Sequence, residues 1–128
     1  MISYDEFSRI AKEELYQLPE YVHEGLNGGV LTDPAAYPHP ARLADDLYIM
    51  GTYSVDPVMG KQIVLYYGSF TASLRDAGED AYRSRIRETI RHEFLHHLET
   101  RAGITGKGSL AEKDAEDLKK YYHARGRF

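Results

Sequence analysis

Residues 88–99 read "ETIRHEFLHHLE" and place three of the chain's six histidines, with a glutamate, inside six consecutive positions. Around them Tyr82, Ile86, Ile90, Phe94 and Leu98 recur every four residues. That period predicts an amphipathic helix of about 22 residues, beginning after Gly78 and stopping at Gly103. His92, Glu93 and His96 within it match H-E-x-x-H, in which two imidazoles one turn apart bind zinc and the glutamate between them serves as general base. At 100° and 1.5 Å per residue, His92 and His96 lie about 40° apart around the axis and about 6 Å apart along it, so their rings can converge on one ion. Glu93 sits about 100° round from His92, which suits a proton acceptor better than a third ligand. His97 projects into the apolar stripe, where an imidazole serves packing or orients a ligand.

An open zinc site takes three protein ligands and leaves a place for water, so another acid or histidine is needed. Glu99 shares the face of His92 and His96 but lies about 10 Å along the axis from His92, which suits it to orienting an imidazole. Glu112, Asp114, Glu116 and Asp117 follow in "LAEKDAEDLKKYYHA", a last helix expected between an N-cap at Ser109 and Gly126. On its wheel Asp114 stands beside Leu110 and Leu118, the face that packs, and is the preferred third ligand. Glu99, Glu112, Glu116 and Asp117 stay open as alternatives, since acids in a first turn also serve the helix dipole.

Outward from the central helix, Ser3 is a cap for a first helix that carries Asp5 and Glu6 in its opening turn and ends near Pro19. The segment 20–26 continues briefly as helix, Val30 and Leu31 suggest a short strand, and the three prolines of 33–46 make a loop. "LYIMGTYSV" (47–55) and "QIVLYYGSF" (62–70) are rich in β-branched and aromatic residues and flank "DPVMGK", so they are expected to form a hairpin. The expected fold is α+β, with a small, mostly antiparallel sheet beside the helix that carries H-E-x-x-H and further helices at both ends of the chain.

Composition narrows the function. With 128 residues, 42% of them hydrophobic and 28% charged, the chain is expected to form one globular domain. A net charge of −4 and scattered lysines and arginines argue against a nucleic-acid partner, and no apolar run is long enough for a membrane partner. Lys119, Lys120, Arg125 and Arg127 near the end are read as partners of a helix dipole rather than an anion site. The absence of cysteine leaves any metal to imidazole and carboxylate. The N-terminal "MISYDEFSRIAKEEL" has neither the basic nor the apolar region of a secretory leader, and a cytoplasmic location is expected.

The blocks "LPEYVHEGLNGGVL", "DLYIMGTY", "IVLYYGSF", "RHEFLHHLE" and "AEKDAEDL" resemble, in order, those of small bacterial zincin-like metallopeptidases. The resemblance implies a minimal zincin-like domain spanning 1–128, with Zn2+ as cofactor, His92 and His96 as ligands and Glu93 as catalytic base. It also implies a third ligand supplied after the helix. Many relatives carry a glycine three residues after the second histidine and an acid three further on. Here those positions are Glu99 and Ala102, which again directs attention to Asp114. The expected activity is hydrolysis of peptide bonds by a metal-activated water, with a peptide or protein as substrate. Tyr66, Tyr67, Tyr121 and Tyr122 are candidates for a phenol that steadies the transition state. The competing expectation is a non-catalytic metal- or peptide-binding module on the same scaffold, in which Glu93 has no chemical role.

Overall fold

Ser3 starts the first helix with a reciprocal cap: its Oγ accepts from Glu6 N and Glu6 Oε1 accepts from Ser3 N, each at 3.1 Å. In the computed structural model this helix, α1, runs Tyr4–Tyr16 and buries Phe7, Ile10, Ala11 and Glu14. Residues 1–103 and 110–124 are described, except the side chains of residues 21, 22, 110 and 111. A 3-10 turn at Glu20–His23 follows, then strands β1 (Gly29–Asp33), β2 (Gly51–Asp56) and β3 (Gly60–Tyr66), and helices α2 (Tyr67–Leu74), α3 (Glu79–Ala102) and α4 (Leu110–Ala124). The fold is α+β, and it comprises two units, Met1–Phe94 and Leu95–Phe128.

In the first unit the sheet order is β1-β3-β2. β2 and β3 form the expected antiparallel hairpin, with Asp56 Oδ1 accepting from Val58 N and Met59 N (both 2.7 Å) across the turn. β1 pairs with β3 in parallel, so the sheet is mixed rather than mostly antiparallel. The reason lies in the connection 34–50. It carries the chain past one end of β3, from the β1 edge to the β2 edge, and the hairpin then brings β3 back alongside β1 in the same direction.

Two strand limits also differ from expectation. Tyr48 makes only an isolated bridge to Pro38, and β2 begins at Gly51. At the other end, residues 67–70 are helical, not extended. Gly68 N donates to Ala35 O (3.1 Å) and Ser69 Oγ accepts from Tyr37 N (2.8 Å), so the loop backbone occupies the space into which the strand would continue. A Cβ on Gly68 would stand 2.4 Å from Ala36 N, which explains the glycine. The start of α2 has no capping side chain, so its onset carries no sequence signal.

Ile63 and Leu65 of β3 are fully buried, as are Phe7 and Ile10 of α1, Phe70 of α2, and Tyr82 and Ile86 of α3, with Ile90 close behind. Phe7 and Phe70 meet edge to face at 4.9 Å between ring centres. This core holds α3 along its apolar stripe through Phe94, and Gly103, at φ +70°, stands just past the helix end. The Ser109 cap and the Gly126 stop lie outside the described residues. Among the described residues, no helix is long and apolar enough to cross a membrane.

Candidate metal centre

The stripe that anchors α3 fixes which way its polar residues turn. Phe94 is buried, its ring 5.2 Å from that of His23, and His97 is fully buried. With that side of the helix committed to packing, His92 and His96 fall at its edge, and both are half-buried. Glu93, between the stripe and the histidines, keeps 7% of its surface accessible.

Asp114, in the second turn of α4, meets the second histidine: His96 Nε2 donates to Asp114 Oδ2 at 3.1 Å. One ligand atom each from His92, His96 and Asp114 lies within 4.8 Å of the others. Among the described residues these three are the group of histidines and acids that can share one ion. Glu99 and Glu112 are half-buried and Glu116 and Asp117 exposed, and none of the four joins that group. Asp117 instead approaches Lys113 Nζ at 3.7 Å.

The donor set fits zinc. Two imidazoles and a carboxylate are the nitrogen and oxygen donors that would hold such a cation in a chain without cysteine. His96 Nε2 and Asp114 Oδ2 already stand 3.1 Å apart. The side chains of His96 and Asp114 retain 27% and 40% exposure, so the group faces solvent rather than a sealed core.

Of the four tyrosines, Tyr67 donates from its hydroxyl to Ile2 O at 2.6 Å, and the Tyr66 hydroxyl lies 3.3 Å from Thr52 Oγ1. Both serve the fold. Tyr121 and Tyr122 are half-buried on α4. Arg125 and Arg127 lie outside the described residues.

One cluster was not anticipated from the sequence. Glu14, which falls in the apolar stripe of α1, is 3% exposed and receives Arg87 Nε at 2.5 Å and Arg83 Nη1 at 2.9 Å. The hydrogen bond from Arg87, and then that from Arg83, hold its carboxyl below the ordinary value of 4.5 against the opposing effect of burial. The signal was available, since a carboxylate at a core-facing position needs cations, and Arg83 and Arg87 recur one turn apart on α3.

No family model and no curated protein matches the chain. A solved structure does: a conserved hypothetical protein from Thermo thermophilus, 32% identical, superposes with a TM-score of 0.66 over 79% of this chain and 98% of its own. At that identity, over nearly the whole of the smaller protein, this chain belongs to the same family as the conserved hypothetical protein from Thermo thermophilus.

Proposed function

We propose that the chain is a zinc-dependent metallopeptidase in which His92, His96 and Asp114 hold the ion and Glu93 is the general base. The observation that carries this reading is the meeting of the three donors within 4.8 Å beside a glutamate in H-E-x-x-H register. A zinc ion held there supplies a Lewis acid that acidifies water and polarises a carbonyl. The chain's own part is positional and protolytic. His92 and His96, fixed one turn apart by the packing of α3, present nitrogen donors, and Asp114 completes the set with an oxygen. Glu93 accepts a proton from the attacking water and returns it to the leaving amine.

A structural zinc site in a non-catalytic module takes a closed set of four donors. The three donors brought together, and the partial exposure of His96 and Asp114, support the open, catalytic alternative. Substitution tests it. Glu93→Gln is expected to keep zinc affinity within a few-fold and to lower peptide hydrolysis by about 10²–10⁴, the usual contribution of a general base. Cleavage of a mixed peptide library at the wild-type rate by that variant, with zinc bound, would refute the assignment.

A further inference from the structure

α4 buries little of what is described of it. Among its described side chains none is buried: Glu112, Asp114, Leu118, Tyr121 and Tyr122 are half-buried and the rest face solvent. The contrast with α1 is direct, because that helix, two residues shorter, buries Phe7, Ile10, Ala11 and Glu14. Most helical stability in proteins comes from an apolar face packed on something else, and an isolated segment of about 15 residues is marginal in water. One hydrogen bond that joins α4 to α3, at His96, adds little by itself, since Asp114 is 40% and His96 27% exposed and water competes for both groups.

We infer that the cation bound by His92, His96 and Asp114 is also a clamp on α4, so that metal loading holds this helix more firmly. The inference rests on the metal-site reading above and adds a structural consequence to it. Asp114 is the one member of the group that α4 supplies, and the two imidazoles belong to α3. Any opening that lifts α4 away from α3 must therefore give up one of three ligands. An ion that binds the closed arrangement suppresses such openings in proportion to its occupancy. Asp114 is in this respect a positioning residue for the whole of α4 as well as a ligand.

Hydrogen exchange of the full chain, with and without zinc, tests this beside a direct measurement of zinc binding. At free zinc about 100 times its Kd, the α4 amides of residues 114–124 are expected to exchange more slowly than in the metal-free chain, by up to about 100-fold and by less in proportion to the zinc that the two imidazoles still bind in the open form. Asp114→Ala, at a half-buried site outside the core, is expected to remove that slowing even at zinc concentrations that saturate its two remaining imidazoles. Asp117→Asn, a change of another acid on the same helix, is expected to keep it. Stoichiometric zinc binding with unchanged α4 exchange in the wild-type chain overturns the clamp and leaves the peptidase reading standing. Failure to bind zinc at all overturns both.

Discussion

Replacing Gly68 by alanine reverses the usual sign of a helical Gly→Ala change. In a helix that meets nothing, alanine gains about 0.5–1 kcal/mol over glycine through backbone entropy. In α2 the added methyl would stand 2.4 Å from Ala36 N, 2.7 Å from Ala35 C and 2.8 Å from Ala36 Cα, all backbone atoms that no rotamer change can move aside. Relief requires the loop at 35–37 to withdraw by about 1 Å, at an overpacking cost of about 1–3 kcal/mol. It also stretches the bonds from Gly68 N to Ala35 O and from Tyr37 N to Ser69 Oγ, each contributing about 1 kcal/mol. With the propensity gain set against these, a net loss of about 2–4 kcal/mol is expected for Gly68→Ala. Urea unfolding followed by far-ultraviolet circular dichroism reads it as a lower midpoint at an unchanged slope. A variant as stable as the wild type, or more stable, refutes the close approach of the loop to α2.

Further outcomes follow from the same packing. Arg75 sits at φ 52° and ψ −126° in a turn closed by Ala77 N donating to Leu74 O (3.1 Å), at the first central position of type II′ geometry, which favours glycine. Arg75→Gly is therefore expected to raise the melting temperature by about 2–4 °C, as a gain near 1 kcal/mol does at this chain length. Because the folded-state carboxyl of Glu14 titrates below its ordinary 4.5, its contribution is fully present above that pH and is lost as pH falls through the lower, folded value. Glu14→Gln, leaving Arg83 and Arg87 with solvent contact, is expected to cost about 2 kcal/mol at pH 7, with the difference from wild type shrinking on acidification below about pH 4. Denaturant midpoints across pH 3–7 check this, and a difference that grows toward acid contradicts it. Tyr67→Phe, which leaves Ile2 O without its 2.6 Å donor, is expected to lower stability by about 1 kcal/mol with zinc affinity unchanged, readable by calorimetry.

The parts of the molecule legible in the sequence are those where one strong local pattern coincides with tertiary packing. α3 is such a case, since its four-residue apolar period becomes the buried line Tyr82, Ile86, Ile90 and Phe94. α1 announces itself through the Ser3–Glu6 cap, and the β2–β3 hairpin through the turn chemistry at Asp56. What escaped is non-local. "LYYGSF" has the composition of a strand, yet the chain turns helical at Tyr67, where its backbone lies close against the loop at Ala35–Ala36, some thirty residues upstream. The parallel pairing of β1 depends on where a proline-rich connection crosses the sheet, which no periodicity encodes. At the site, the helical repeat is enough to align His92 with His96 on one helix. Asp114 is a choice among several acids that wheel position favours, and its Oδ2 lies 3.1 Å from His96 Nε2. Glu14 was visible as a charge in an apolar stripe, but its partners lie some seventy residues away and no local pattern names them.

The measurement closest to the central claim is anomalous scattering at the zinc edge from a crystal of this chain soaked in zinc at neutral pH. One dominant peak within bonding distance of His92, His96 and Asp114, with an open position toward solvent, is the predicted result. Scattering absent from that point under saturating zinc, or centred on Glu99, Glu112, Glu116 or Asp117 in place of Asp114, would contradict it.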